Sequence, residues 1–291
     1  MAEKQSKVHH QYHLFPNFYL FVAIHGVAVA GFFLYPPTMS IFALLLIVHF
    51  LIGCIGICVT FHRFLSHRSF QFKYKWLERI FVTLGTIALQ RGPIWWTCIH
   101  RFHHRYSDTP QDPHDSNKGF WFSHFMWLFT IDKKTIKSEN YHESVHDIAM
   151  DPYYRLLDQY FYIPAIIFGG LLYIIGGYAW LFWGGFIGIV SVWHCTWFIN
   201  SVTHRWGYQR FDGGPGDTSR NNWFVALSTY GEGWHNNHHA FPSSAKQGFF
   251  KWWEIDISFI VIYILMQAGL SHHLVLPTYS QINRKYLSSS Y

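Results

Sequence analysis

Residues Leu14 to His62 read LFPNFYLFVAIHGVAVAGFFLYPPTMSIFALLLIVHFLIGCIGICVTFH, without one Asp, Glu, Lys or Arg. A membrane-spanning helix needs about 20 apolar residues, so this stretch is long enough for two passes and a turn. The turn signal Tyr35-Pro36-Pro37-Thr38 lies near its middle. Buried helices of soluble proteins rarely reach this length without a charge. The stretch therefore predicts a helical hairpin in a membrane.

A second stretch, from Gln159 to His204, repeats this pattern. It also lacks Asp, Glu, Lys and Arg, and Gly176-Gly177-Tyr178 supplies the turn signal near its middle. Together the two stretches predict an all-α integral membrane protein with four transmembrane helices in two hairpins. The predicted spans are residues 17–35, 40–60, 159–177 and 180–202.

The composition supports a membrane protein. Of the 291 residues, 50% are hydrophobic and 13% are charged, and that charged fraction is about half that of a soluble domain. The net charge is +6, but the basic residues stand beside apolar blocks rather than among exposed aromatics. We therefore expect a lipid bilayer as partner and no nucleic acid. Neither a cleavable signal peptide nor a structural disulfide is expected.

Basic flanks predict the orientation of the chain. Neither hairpin turn carries a charge, and loops rich in Lys and Arg stay on the cytoplasmic side. The basic flanking residues are Lys4, Lys7, Arg63, Arg68, Lys73, Lys75, Arg155, Arg205 and Arg210. Both termini are therefore expected in the cytoplasm, within a single membrane domain over residues 1–291 of a multi-pass protein. Residues 62–158 and 204–291 would form a cytoplasmic helical cap.

Three further apolar segments are too short to span. Residues 77–91 and 119–131 fit helices that lie in the interface or roof a cytoplasmic site, and residues 255–270 fit an interfacial helix. Residues 211–222, FDGGPGDTSRNN, are expected to form a loop.

The 21 histidines are concentrated in three clusters. These are HRFLSH from His62 to His67, HRFHH from His100 to His104, and HNNHH from His235 to His239. In HxxHH, positions i, i+3 and i+4 share one helical face, and Asn200 and His204 are similarly spaced. His62 and His67 would lie roughly 140° apart on an α-helix. They converge only if the helix ends between them, or if they serve different metals.

Nine clustered imidazoles exceed the needs of one metal. A protein zinc site uses four ligands or three, whereas nine or ten groups suit two metals with room for a small molecule. Imidazole serves iron, copper, nickel and zinc alike, so ligand type does not select the metal.

The remaining histidines are expected to play ordinary roles. His25, His49 and His194 are interpreted as satisfied core residues, and His9, His10 and His13 as a solvated tail. His272 and His273 fit a polar helix end, and His124, His142 and His146 an interface or surface. Metal-bound imidazoles usually donate their other N–H to a neighbouring acceptor. Candidates for that role beside the clusters are Asp108, Asp112, Asp115, Glu232, Asn236 and Asn237.

The motifs HRFLSH, HRFHH and GEGWHNNHH, with N-x-x-x-H before them, strongly resemble those of membrane fatty acyl desaturases of the stearoyl-CoA and Δ9 acyl-lipid type. The resemblance covers roughly residues 15–260 and includes QDPH from Gln111, GFWFSH from Gly119 and SRNN from Ser219. It implies four transmembrane helices under a cytoplasmic cap. It also implies two iron ions, with O2 as co-substrate, and no catalytic residue beyond the metal centre.

The resemblance assigns roles to individual residues. Asn200 would hold a water on one metal, and Gln90, Trp96, Thr196 and Trp197 would line the bend of an acyl tunnel. The implied metal ligands are His62, His67, His100, His103, His104, His204, His235, His238 and His239.

The implied reaction is a cis desaturation, at Δ9, of a saturated acyl chain carried as acyl-lipid or acyl-CoA. Arg91-Gly92-Pro93 and Cys98-Ile99 stand where acyl-CoA desaturases carry polar residues that grip the CoA head group. This departure resembles the bacterial and cyanobacterial branch and suggests a bacterial inner membrane. No fused cytochrome domain is expected, so electrons would come from a separate ferredoxin or cytochrome b5-like protein.

Two other functions remain open from the residues. A fatty acyl hydroxylase or ketolase would use the same scaffold, and product mass separates it from a desaturase. A metal transporter or storage protein is the non-enzymatic alternative, but transporters hold their ligands at mid-membrane on broken helices. Here every cluster lies at or beyond the cytoplasmic ends of the predicted spans.

Overall fold

The computed structural model describes residues 17–130, 143–249 and 251–286, and this part of the chain is mostly helical. His9, His10, His13 and His142 lie outside the described residues. The α-helices are α1 Asn17–Leu34, α2 Met39–His49, α3 Lys75–Ile87, α4 Pro93–Tyr106, α5 Phe120–His124, α6 His146–Ala149, α7 Pro152–Gln159, α8 Ile163–Trp180, α9 Gly188–Ser201, α10 Trp223–Ser228, α11 His235–Ala240, α12 Ile257–Gln267 and α13 Tyr279–Lys285. Two π-helical segments, Phe50–Ser66 and Leu181–Ile187, continue α2 and lead into α9.

The first hairpin turns at the predicted place. α1 ends at Leu34, and Thr38 begins α2 because its side chain accepts a hydrogen bond from the Ile41 N–H. From Met39 the helix runs unbroken to Ser66, farther than the predicted end at residue 60. It is one of two helices in the described chain that are long and apolar enough to cross a membrane.

The other is Ile163–Ser201, whose 39 residues contain a break. Gly176 and Gly177 have non-helical backbone angles, and Gly177 has φ of +64°, a conformation that favours glycine. The sequence signal for a turn at this position is thereby confirmed. Gly31 of α1 packs against Phe182, so closely that a Cβ would lie 2.4 Å from its ring. A larger residue at position 31 would push α1 away from the segment Leu181–Ile187.

The long π-helical segment changes the spacing of side chains. In a π-helix the backbone bonds join residues i and i+5 rather than i and i+4. The His67 N–H accordingly donates to the His62 carbonyl at 3.1 Å. Residues five apart therefore share a face, and the His62 and His67 rings lie 4.8 Å apart between centroids. The segment ends at Ser66, between the two histidines.

The cap packs against this π-helical segment. Gly56 and Gly85 let the segment and α3 approach closely, because a Cβ on Gly56 would lie 2.6 Å from the Gly85 nitrogen. A short antiparallel pair, β1 Gln71–Phe72 and β2 Ser271–His272, joins the end of the segment to the chain after α12. In the described part of the chain, none of the four cysteines forms a disulfide.

Several cap predictions are tested by the fold. Residues 77–91 and 255–270 contain the expected helices α3 and α12, and residues 211–222 form a loop. The single helix predicted at 119–131 is wrong. It is split into α5 and a 3₁₀ turn, Met126–Phe129, because Phe125 adopts non-helical backbone angles.

The isolated histidines that the structure describes mostly match their expected roles, with exceptions at His124 and at the pair His272 and His273. His25 and His194 bond each other through Nε2 atoms 3.2 Å apart, and His146 is exposed at the start of α6. His124 is not at a surface: it is buried, with Nδ1 2.9 Å from the Ser201 hydroxyl. His272 lies in β2 rather than at a helix end.

Candidate metal centre

Three helical elements and one turn bring the clustered histidines together. The π-helical segment carries His62, and His67 follows its last residue. α4 and α11 carry the two HxxHH motifs, and His204 follows α9. α4 begins at Pro93, which fits a first helical turn because that position needs no N–H partner. Asp158 accepts hydrogen bonds from the Ile94 and Trp95 N–H groups at 3.0 and 2.9 Å. Its carboxylate thus fixes the start of α4.

Five histidines form the first group. Within it, Nε2 atoms face each other in pairs, His62 with His238 at 3.0 Å, and His67 with His100 at 2.7 Å. Their ligand atoms all lie within 4.8 Å of one another. The members are His62, His67, His100, His104 and His238. His62 and His67 therefore belong to one group, which matches the alternative that the helix ends between them rather than the alternative of different metals. The cause is the i to i+5 geometry of the helix.

Four buried histidines form the second group, beside the first. The Nε2 atoms of His204 and His235 are 3.0 Å apart, and those of His103 and His239 are 3.3 Å apart. α4 and α11 each send side chains into both groups. The members are His103, His204, His235 and His239.

Four histidines present their second ring nitrogen to buried carboxylates. The Nδ1 atoms of His62 and His103 lie 2.6 Å from Glu232 and 2.9 Å from Asp112. In the second group, His204 lies 2.8 Å from Asp108 and His239 lies 2.7 Å from Asp217. A carboxylate at Nδ1 holds the tautomer that turns Nε2 towards the centre, which is the usual arrangement around metal-bound histidine.

The remaining candidate partners have other roles. Asp115 accepts from the Asn117 N–H, and Asn236 accepts from the backbone of Arg210 and Phe211. Asn237 bonds Asn221. Asp217 was missed from the sequence because it stands in the loop at 211–222, next to no histidine in the chain.

Burial controls the charge of the first group. It lowers the pKa of His67, His100 and His104 well below the usual value, and neighbouring imidazoles lower it further. These rings are therefore neutral at pH 7, the form that binds metals. Burial opposes the charge on His103, but the Asp112 carboxylate outweighs it and raises the pKa of His103. The same pairing lowers the pKa of Asp112.

The donor set fits two transition-metal ions. Both groups consist of imidazoles, which suit iron, copper, nickel and zinc, and neither contains a carboxylate. On a six-coordinate metal, groups of five and four imidazoles leave one and two coordination positions for small molecules. The half-buried Asn200 lies one turn before His204 on α9.

Three of the four expected tunnel residues are joined by hydrogen bonds. The Trp96 indole N–H donates to Gln90 Oε1 at 3.1 Å, and the Gln90 amide donates to Thr196 Oγ1 at 3.0 Å. Trp96 also stacks on His100. Trp197 lies apart from this triplet, buried against Phe21. Of the four, Thr196 also lines a cavity between the π-helical segment and α9, with His49, Gly53, Cys58, Val192, Cys195, Ile199, Ser228, Thr229 and Tyr230.

A buried arginine connects the first histidine cluster to the last. Arg63 lies 2.9 Å from Glu232, which contacts His62, and 2.9 Å from Asp256. It also donates to the Ala245 carbonyl at 2.7 Å. In the sequence, Arg63 stands out only as one of the basic residues that flank a predicted span.

The chain is similar to known proteins over most of its length. Residues 36–254 match the model of the fatty acid desaturase family. The chain is 44% identical over 260 residues to an sn-2 palmitoyl-lipid 9-desaturase of Nostoc sp. (strain 36), covering 89% of each chain. It is 42% identical over 273 residues to an sn-1 stearoyl-lipid 9-desaturase of Anabaena variabilis, covering 91% of this chain and 95% of the relative. An acyl-CoA 5-desaturase of Anemone leveillei is 42% identical over 252 residues, which cover 86% of this chain and 76% of the relative.

Proposed function

The chain belongs to the fatty acid desaturase family, and from this premise we propose that it introduces a cis Δ9 double bond into the acyl chains of membrane lipids. The observation that carries the proposal is the convergence of nine imidazoles at the ends of long apolar helices, beside the triplet Gln90, Trp96 and Thr196. The relatives named 9-desaturases of palmitoyl-lipid and stearoyl-lipid favour this position and a lipid carrier.

The nine histidines would hold two iron ions. His62, His67, His100, His104 and His238 would bind one, and His103, His204, His235 and His239 the other, where Asn200 would hold a water. When bound, iron supplies the oxidation of unactivated C–H bonds by O2, which no side chain can perform by acid–base chemistry. The balanced reaction is R–CH2–CH2–R′ + O2 + 2 e⁻ + 2 H⁺ → R–CH=CH–R′ + 2 H2O.

The protein's own residues position the substrate and exclude water. Trp96, stacked on His100, would set the acyl chain beside the first histidine group, and the Gln90–Thr196 hydrogen bond would shape its bend. Trp197 would pack behind it. The apolar walls keep water from the reacting carbons. Glu232, Asp112, Asp108 and Asp217 hold the imidazoles in the required tautomer.

The apolar helices would form four spans. α1, the continuous helix from Met39 to Ser66, and the two halves of Ile163–Ser201 on either side of Gly176 would cross the bilayer. Basic residues beside the first histidine cluster favour a cytoplasmic cap and cytoplasmic termini. A bacterial inner membrane fits this topology, and the two electrons would come from a separate ferredoxin or cytochrome b5-like donor.

Expression in a host without Δ9 desaturase activity tests the reaction. Mass spectrometry of the lipids should show the loss of two hydrogens and, after double-bond localisation, unsaturation between carbons 9 and 10. The His238→Ala variant should give neither. Gain of one oxygen would identify a hydroxylase instead, and loss of two hydrogens elsewhere in the chain would contradict Δ9. Replacement of iron by zinc should abolish turnover, because zinc is not redox-active.

A further inference from the structure

α10 packs its inner side against residues deep within the proposed fourth span. Ser228, at its end, lines the cavity together with Cys195 and Thr196 of α9. An α-helix rises about 1.5 Å per residue, so Cys195 lies about 13 Å along the axis from His204 at the cytoplasmic end. Just after α10, the Tyr230 hydroxyl lies 2.7 Å from His49 Nδ1, and His49 is in α2, far before His62. α10 therefore reaches below the level of the metal centre.

α12 also packs along the second proposed span. The Ser258 hydroxyl lies 3.7 Å from the Cys54 thiol, and Ile262 packs in one apolar cluster with Cys54 and Val59. These partners precede His62 in the chain and lie within the apolar helix Met39–Ser66. The inner face of α12 thus covers the second span at membrane depth.

The outer faces of both helices are apolar and uncovered. Trp223, Phe224 and Leu227 share one face of α10, and Leu227 is 69% exposed. On α12 the exposed face contains Ile260, Tyr263 and Ile264. Neither helix contains Asp, Glu, Lys or Arg. Contiguous apolar faces of this kind mark an interaction site.

The charged residues near α12 do not lie on these exposed apolar faces. Glu254 and Asp256 immediately precede the helix, but both are buried in ion pairs with Arg210 and Arg63. Trp252, before them, is 93% exposed and follows Lys251. An exposed tryptophan beside a lysine is typical of the level of lipid head groups.

We propose that α10 and α12 lie inside the cytoplasmic leaflet, with their outer faces against lipid acyl chains. The inference rests on the proposed topology, and it makes the cap a partly embedded structure rather than a wholly aqueous one. Because Ser228, Thr229 and Tyr230 also line the cavity, the segment ending α10 separates that cavity from the lipid. A lipid-borne acyl chain can then approach the cavity without crossing water.

Depth-dependent fluorescence quenching in proteoliposomes tests this placement in the iron-loaded protein. The variants Leu227→Cys, Phe224→Cys and Ile264→Cys would each carry an NBD label, with the labelled unsubstituted chain as background for its own cysteines. Leu171→Cys, on the exposed side of α8, is the lipid control. Asp212→Cys, in the exposed part of the loop at 211–222, is the water control.

The three test labels should be quenched by doxyl-labelled phosphatidylcholine to within about twofold of the label at position 171. Iodide should quench them several-fold less than the label at position 212. Quenching by iodide to the extent seen at 212 would overturn the proposal. Protection of the labels from both quenchers would also overturn the proposal. In that case protein, for example a second copy of the chain, would cover the faces. If the label at 171 is itself quenched by iodide, the topology fails rather than this inference.

Discussion

Trp96 lies against His100 with ring centroids 5.1 Å apart and ring planes inclined by 19°. The same indole donates its N–H to Gln90, whose amide in turn donates to Thr196. Trp96 therefore contacts the first histidine group directly and is connected through Gln90 to Thr196, which lines the cavity. Displacement of Trp96 should affect where the acyl chain sits relative to the metal.

Gln90→Ala should loosen this arrangement. The change leaves the Trp96 N–H without its acceptor and Thr196 without its donor, so the indole is free to tilt. Misplacement of about 1 Å costs up to ~100-fold in rate, and we expect a fall of about tenfold with products at more than one position. Iron content should not change. Gln159→Ala, at an exposed glutamine, is the control. Unaltered rate and regiochemistry would contradict the role of Gln90.

Asp217→Asn should weaken iron binding in the second group. The amide cannot accept the His239 Nδ1–H as a carboxylate does, and loss of such a partner usually costs about 10–100-fold in metal affinity or activity. The affinity is measured as the number of iron ions that remain per protein after dialysis against increasing concentrations of a chelator. Asp212→Asn, in the same loop, should retain iron as the parent does. Equal retention by both variants would show that Asp217 does not support His239.

Asp256→Ala should destabilise the fold more than loss of an exposed pair. It leaves the Arg63 charge buried with Glu232 as its one remaining carboxylate, and breaking a buried pair costs about 3–5 kcal/mol. It also removes the carboxylate that accepts the Phe259 N–H at the start of α12. Arg68→Met breaks the exposed pair with Asp147 and should cost at most about 1 kcal/mol. Thermal unfolding in detergent compares them; similar Tm values for both variants would contradict the role of the buried network.

Gly53→Leu should shorten the preferred acyl chain. Gly53 lines the cavity, and a Cβ there would lie 3.4 Å from Val192 and 3.5 Å from Tyr230. If the cavity receives the methyl end of the acyl chain, a larger side chain at position 53 would take space from it, and each lost methylene is worth about 1–3 kcal/mol. The ratio of palmitoyl to stearoyl products should rise several-fold. Gly53→Ala gives a milder variant should leucine disturb folding.

The control for this change is Gly26→Leu. Gly26 lies in α1, where an added Cβ would meet nothing within 4 Å. If Gly26→Leu changed the ratio of palmitoyl to stearoyl products by the same factor, the cavity at Gly53 would not determine the preferred acyl length.

Local patterns predicted most of the helices and the membership of the metal centre. The uncharged stretches predicted the long apolar helices and the breaks near residues 35–38 and 176–177, since length without charge is a local property of sequence. All nine histidines named as candidate ligands lie in one of the two groups, whose role in binding metal stays a prediction. Their division into groups of five and four could not be predicted from the sequence. It depends on how α4 and α11 cross and on the π-helical turn before His67. Ordinary α-helical spacing predicted 140° between rings that in fact share a face.

The features that the sequence did not predict share one physical cause. Each depends on a contact between residues that are far apart in the sequence. Asp217 reaches His239 across a loop, and His124 is buried only because α5 folds back onto α9. The break at Phe125 occurs within an apolar run that carries no glycine or proline between 120 and 131. Arg63 looked like a membrane flank, whereas its partners Glu232 and Asp256 come from the opposite end of the sequence.

α4 and α11 each supply histidines to both groups, so the distance between the two groups depends on the backbone of these helices. His103 and His104 are adjacent in sequence yet belong to different groups. Neither group contains a carboxylate that could shift as the charge on a bound metal changes. A change in the distance between the groups would require α4 and α11 to move relative to each other. In the proposed diiron enzyme, two bound ions would therefore keep the same separation during turnover.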